Sequence, residues 1–348
     1  MAATSSYIHP FAAALLRWYD THGRSLPWRV TRDPYAIWLS EVILQQTRIE
    51  QGLPYWERFM SHYPTVEALA AANEDEVLRL WQGLGYYSRG RNLLAAARQV
   101  TALGGFPTTL AELKTLKGVG DYTAAAIASM AFDLPAAVVD GNVYRVLSRH
   151  HGIDTPINSS AGKREFAELA QTLLPAHHAA AFNQAMMDFG ATWCTPREPH
   201  CTDCPLADSC VALHEGAVSE LPKKLKKAQV KTRRFQYVYV RHAGRTALRR
   251  RPAGDIWQGL WEPLLVEGDT TDLMTTVTPF GGTLTRLRQG VKHVLTHRII
   301  VADFYRLDCA TEPVLPDGYQ WIAEGDIDRY ALPRLVEKLI NTQPLIKP

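Results

Sequence analysis

LKGVGDYTAAAIASMAFDLPAAVVDGNVYR, residues Leu116 to Arg145, decides how the rest of the chain is read. Lys117-Gly118-Val119-Gly120 predicts a tight glycine turn, and Tyr122–Phe132 predicts a helix whose small alanine face is free for close packing. A helix that opens behind such a turn points backbone N–H groups outward, which suits a phosphate. Asp140 follows the apolar segment Ala136–Val139. Asp140-Gly141-Asn142 then has two readings: an ordinary helix start, with Asp140 capping Val143 and Tyr144, or a carboxylate placed beside whatever the hairpin holds.

Towards the N-terminus, residues 8–22 predict an amphipathic helix, and His22–Arg29 a loop rich in groups that could touch a base or a phosphate. Asp33-Pro34 is a cap followed by a first-turn proline, and the helix after it should run from Tyr35 to Thr47. Glu41 stands out among Trp38, Leu39, Val42 and Leu44. Buried there, a carboxyl would keep its proton near neutral pH and could act as a general acid; on the solvated face, or paired with Arg48, it would do neither. Helices are expected around 48–60, 65–71 and 74–81. Trp81-Gln82-Gly83-Leu84-Gly85-Tyr86-Tyr87 breaks the pattern with glycines beside paired aromatics, before a helix that carries Arg89 and Arg91 to about Leu103. Beyond the hairpin, helices are expected at roughly 142–150, 163–174 and 178–190, so the chain reads as all-helical to Leu213.

Cys194, Cys201, Cys204 and Cys210 close this half, and Cys309 stands apart. Pro196, Pro199 and Pro205 favour a compact loop. Four thiolates at short spacing suit zinc or a 4Fe-4S cluster equally well on charge and softness. A basic run follows, Lys223, Lys224, Lys226 and Lys227 continuing to Lys231, Arg233 and Arg234, which reads either as a solvated linker or as a phosphate-following segment. From Arg233 the texture alternates: Phe235–Val240, Thr246–Leu248, Leu260–Val266 and Ile299–Tyr305 predict strands, and 269–276 and 331–341 predict helices. At 348 residues, two domains are expected. A net charge of +3 permits an anionic partner without demanding one. No signal-like or membrane-length apolar run is visible, so no membrane partner is expected and the location is read as cytoplasmic, nucleoid-associated in a bacterium and nuclear in a eukaryote.

The motifs WLSEVILQQT, GLGYYSRGRNL, LKGVGDYTA and VVDGNVYRV, the four-cysteine loop, and a strand-rich domain after a linker come in one order. End to end this resembles the MutY family of adenine DNA glycosylases, within the helix-hairpin-helix, endonuclease III superfamily. The resemblance implies a multidomain fold. An all-α helix-hairpin-helix glycosylase region would span residues 1–212, with a 4Fe-4S cluster loop at 194–210. A basic linker would follow at 213–232, then an α+β Nudix-like lesion-recognition domain at 233–348. The Glu-rich signature of Nudix hydrolases is missing, so no pyrophosphatase chemistry is expected there. The implied activity is base excision repair by a monomer: hydrolysis of the N-glycosidic bond of adenine mispaired with 8-oxoguanine or G in duplex DNA, leaving an abasic site.

The resemblance also assigns residues. Glu41 would protonate adenine, Asp140 would stay ionised and stabilise the cationic sugar, Tyr122 would orient that aspartate, and Asn142 would belong to the same site. Related lyases carry a lysine after the hairpin turn, and Tyr122 stands there instead, so a monofunctional enzyme is expected. Arg24, Leu26, Trp28, Arg29, Gln46, Thr47, Leu84, Tyr86 and Gln184 match the adenine pocket and DNA wedge, with Gln46 and Tyr86 inserted into the duplex. Gly118, Val119 and Gly120 would hold a phosphate. Cys194, Cys201, Cys204 and Cys210 would hold the cluster. Thr296 and His297, in a loop the family usually writes Phe-Ser-His, would read the lesion. An endonuclease III-like pyrimidine lyase and a catalytically silent DNA-binding protein are the competing readings.

Overall fold

The computed structural model describes residues 8–225, 231–268, 270–295 and 298–341. By internal contacts the chain gathers into two compact units, Met1–Ala71 with Ala95–Lys226, and Ala72–Leu94 with Lys227–Pro348. Helices come first: α1 Pro10–His22, α2 Pro34–Leu44, α3 Ile49–His62, α4 Val66–Ala70, α5 Glu74–Leu80, α6 Ser88–Ala102, α7 Leu110–Leu113, α8 Asp121–Phe132, α9 Gly141–His151, α10 Ser160–Leu173, α11 Ala179–Asp188 and α12 Val211–His214. Of these, α5 and the first half of α6 group with the second unit.

The helical unit is organised around α2 and α8. Asp33 caps α2 through Tyr35 N at 3.0 Å, Pro34 opens it, and every residue from Tyr35 to Ile43 is buried. Such a helix needs a close neighbour on each side. The alanines of α8, buried continuously from Thr123 to Met130, let α2 pack closely against it. Asn183 of α11 then fixes the segment that leads to the second carboxylate: it accepts from Val138 N at 3.0 Å and donates to Ala136 O at 2.8 Å.

The second unit is α+β. Its strands are β1 Lys231–His242, β2 Arg245–Arg250, β3 Trp261–Glu262, β4 Leu264–Glu267, β5 Thr283–Val294, β6 Arg298–Asp308 and β7 Tyr319–Ala323, with helices α13 Thr270–Val277 and α14 Arg334–Asn341. They form one sheet in the order β3-β2-β1-β6-β5, with β4 also on β1 and β7 on β2; β1 and β6 run parallel, and the other pairs are antiparallel. Phe235, Tyr237 and Tyr239 of β1 pack in one cluster with Leu335 and Val336 of α14, and Val238 and Val240 pack in another with Leu273 and Val277 of α13. Burial on both faces explains why Phe235–Val240 is almost wholly apolar.

Four elements differ from expectation. The second helix stops at Leu44 rather than Thr47, because Gln46 takes a left-handed φ of 58°. The helix expected to reach 190 ends at Asp188 and widens into a π turn, Phe189–Trp193, where Gly190 lies so close to Asn142 that a Cβ would stand 2.6 Å from the Asn142 Cβ. Strands β5 and β7 were not expected at all.

Candidate active site

The hairpin forms as its glycines require. Gly118 has φ 77°, Leu116 and Val119 are buried, and Gly120 starts α8 without a side-chain cap, so the helix's first N–H groups point away from the chain. Asp140 caps α9 and does more than cap. Its Oδ1 accepts from Asn142 N and Val143 N, each at 2.8 Å, and its Oδ2 from Asn142 Nδ2 at 2.8 Å. Burial pushes its carboxyl up and these three N–H bonds pull it back down; the net direction is upward. The cap reading of Asp-Gly-Asn is met, and the second carboxylate oxygen is held by the Asn142 side chain.

Glu41 faces the same space from α2. It is 7% exposed, and burial, helped by the charge of Asp140 and opposed by Tyr122 and Arg29, pushes its carboxyl up to about 7. That shift disfavours the ionised form by about 3 kcal/mol and leaves the proton half-populated at neutral pH. Glu41 is neither solvated nor paired with Arg48. Tyr122 lines the same cavity: its hydroxyl hydrogen-bonds Glu41 and reaches Met187 Sδ at 3.4 Å, and it feels the charge of Asp140. Asn142 and the backbone N–H groups hydrogen-bond Asp140.

Two adjoining cavities meet at these groups. One, of 390 Å³, is lined by Glu41, Leu44, Gln45, Gln46, Tyr122, Val139, Asp140, Gly141 and Tyr144. The other, of 520 Å³, adds Arg24, Leu26, Trp28, Arg29, Thr47, Asn142, Arg145 and Met187. Most of the residues assigned by resemblance are thus brought together, with Leu26 and Trp28 otherwise buried. Gln184 lines neither cavity; its Oε1 accepts from Tyr19 Oη at 2.7 Å. Leu84 and Tyr86 sit in the turn before α6, grouped with the second unit. Thr296 and His297 lie outside the described residues.

Gln46 and Tyr86, the two residues expected to enter the duplex, both have left-handed backbones, φ 58° and 48°, and both are exposed. A side chain in that region costs on the order of 1 kcal/mol and persists where function or packing requires it. Gln46→Gly should leave stability to denaturant within about 0.5 kcal/mol, because relief of strain offsets the entropy glycine loses on folding, yet slow excision measurably. Unchanged excision would remove Gln46 from the DNA contact.

Sequence reading missed three residues that hold this site. Asp188 joins Arg24 and Arg29. Arg145 donates to Asn142 Oδ1 at 2.9 Å, Gly190 O at 2.5 Å and Cys194 O at 2.7 Å, tying the capped turn to the cysteine loop. Arg149 donates to Cys194 Sγ at 3.4 Å and Thr195 O at 2.7 Å. Apart from Asn142, each partner lies about 45 residues or more away, so no local pattern marks them.

The four cysteines are free and half-buried. Burial pushes Cys204 up to about 11, and the charges of Cys194, Cys210 and Cys201 add to the rise. Backbone N–H groups of Leu206 and Leu213 point at Cys204 and Cys210. Crowded thiols supplied with N–H donors are a donor set that suits a cationic iron–sulfur centre. Among the described residues, no group of three or more His, Cys, Asp or Glu side chains is arranged to hold a single metal ion.

A helix-hairpin-helix turn thus stands beside two carboxyls that share one cavity, Glu41 buried and Asp140 half-buried. The HhH-GPD superfamily base excision DNA repair family matches residues 39–172, and the NUDIX domain family matches 236–342. An adenine DNA glycosylase of Buchnera aphidicola subsp. Schizaphis graminum is 33% identical over 257 residues, covering 73% of this chain and 74% of that protein. The adenine DNA glycosylase of Rattus norvegicus is 46% identical over 226 residues, 61% of this chain but 44% of the rat protein, so the chain spans less than half of that relative. A solved structure of a thermostable thymine-DNA glycosylase superposes with TM-score 0.55 at 33% identity, covering 59% of this chain and 95% of that one. The chain belongs to the adenine DNA glycosylase family, DNA N-glycosylases of base excision repair. Among the described residues no helix is long and apolar enough to cross a membrane.

Proposed function

We propose that this protein, acting as a monomer on chromosomal DNA, removes adenine mispaired with 8-oxoguanine or G and leaves an abasic site without cutting the strand. The observation that carries the reading is the pairing of unlike carboxyls across one cavity: Glu41 poised near neutrality, and Asp140 supplied with three N–H donors. Adenine departing as an anion is a poor leaving group, so the bond breaks readily only if the base is protonated as it leaves. Glu41 gives that proton to the ring nitrogen of an adenine turned out of the stack. Asp140, kept anionic by Asn142 and Val143, stabilises the sugar's oxocarbenium ion as it develops. The base leaves neutral, and water adds to the sugar carbon as it gives a proton to the now ionised Glu41. Tyr122 holds Glu41 at the cavity wall, and the hairpin amides take a DNA phosphate.

Strand cleavage through a Schiff base needs a primary amine. Among the described residues no lysine lines either cavity, and Tyr122 fills the position after the hairpin. Cys194, Cys201, Cys204 and Cys210 would hold a 4Fe-4S cluster, whose cationic core would offset part of the charge of the four thiolates and tie the loop together. Lesion reading is assigned to the second domain, at Thr296 and His297.

Single-turnover adenine release from duplexes carrying A opposite 8-oxoguanine, G or T tests the proposal. The expected result is strand breaks only after alkali, fastest opposite 8-oxoguanine. Release opposite all three at equal rates, or breaks before alkali, would overturn the mispair preference or the monofunctional reading respectively.

A further inference from the structure

We propose that Asp188 is a positioning residue for this reaction: it draws Arg29 away from Glu41 and so keeps the acid protonated. The inference rests on the proposed role of Glu41.

Asp188 ends α11, just before the π turn, and is fully buried. Its carboxylate is saturated by two arginines of the loop before α2. Arg24 donates from its backbone N and Nε, each at 2.9 Å, and from Nη2 at 2.5 Å. Arg29 donates from Nη1 and Nη2, each at 2.7 Å, in a bidentate pair. Arg29 Nη1 also reaches Arg24 O at 3.0 Å, and its guanidinium lies 6.0 Å from the centre of the Tyr19 ring. Both arginines line the cavity that Glu41 and Asp140 share. Arg29 is thus a fixed cation beside the acid, its fork turned to Asp188.

The charged and titratable groups around Glu41 can be named element by element. Tyr122 comes from α8, Asp140 from the turn before α9, and Arg29 from the loop before α2; Arg24, Arg48, Glu50, Tyr144 and Arg145 border the same space. Of those that act on Glu41 directly, Asp140 raises its pKa, and Arg29 and Tyr122 lower it. Without the Asp188 carboxylate, Arg29 would be a buried cation short of its partner, and Glu41 is the carboxyl it already feels. A new Arg29–Glu41 pair would ionise the acid. No proton would then be available at neutral pH.

The test is the pH profile of single-turnover adenine release by the full chain, from pH 5 to 9. With Glu41 near 7, release by the wild type should fall as pH rises through that value. In Asp188→Asn the midpoint should move towards the ordinary 4.5, so that release is about 100-fold slower at pH 7 but within about fivefold of wild type at pH 5. A loss of equal size at every pH would mean a merely structural role and would overturn the proposal. Arg29→Gln, which keeps Arg24 on Asp188, guards against a misfolded first variant. It should move the midpoint upward, and an unmoved midpoint would also overturn the proposal. Absence of adenine release by the wild type would instead sink the assignment of Glu41 and of the activity.

Discussion

Glu41→Gln should slow adenine release about 10²- to 10⁴-fold while leaving duplex binding intact, the range that loss of a positioned general acid produces. Glutamine keeps the shape of the side chain and a partner for Tyr122 but has no proton to give. The acid is protonated below about 7 and ionised above it, so wild-type release declines as pH rises through 7, and the variant's profile should lose that limb. Single-turnover assays with a parallel gel-shift titration would check both halves. Normal release by the variant would contradict the proposed acid, and lost binding would point to a structural fault instead.

Asp140→Asn should cost about 10²- to 10³-fold in release, the usual effect of removing one preorganised electrostatic contact to a developing charge. The asparagine carbonyl can still accept from Asn142 N and Val143 N, so the start of α9 is preserved and the thermal midpoint should hardly move. Asp140→Ala should differ by losing the cap as well, about 1 kcal/mol of stability. Equal activity of Asp140→Asn and wild type would leave Asp140 as a cap alone.

How much of this was legible in the sequence follows from what each feature depends on. The hairpin could be read because glycines mark its turn and alanines mark the helix that must pack closely. Glu41 was visible as a lone charge in an apolar helix. The end of α2 was not: Gln45, Gln46 and Thr47 carry no breaker, and the helix stops through a left-handed glutamine that composition does not announce. Strand β5 was missed because most of its residues are exposed and polar, and its pairing with β6 shifts register twice between Arg286 and Val291. Asp188 reads as any polar residue of a helix until Arg24 and Arg29, 164 and 159 positions earlier, are brought onto it.

The grouping of Ala72–Leu94 with the C-terminal half has a consequence for how the chain is made. Glu74 pairs with Arg250, 176 residues later, at 2.8 Å, and Tyr87 Oη reaches Leu332 O at 3.4 Å across 245 residues. At roughly 5–20 residues per second of synthesis, Glu74 emerges about ten to thirty-five seconds before Arg250 exists to meet it. The helices flanking this segment can close on local contacts in far less time. The turn that carries Tyr86 is therefore translated well before the residues that complete its set of neighbours.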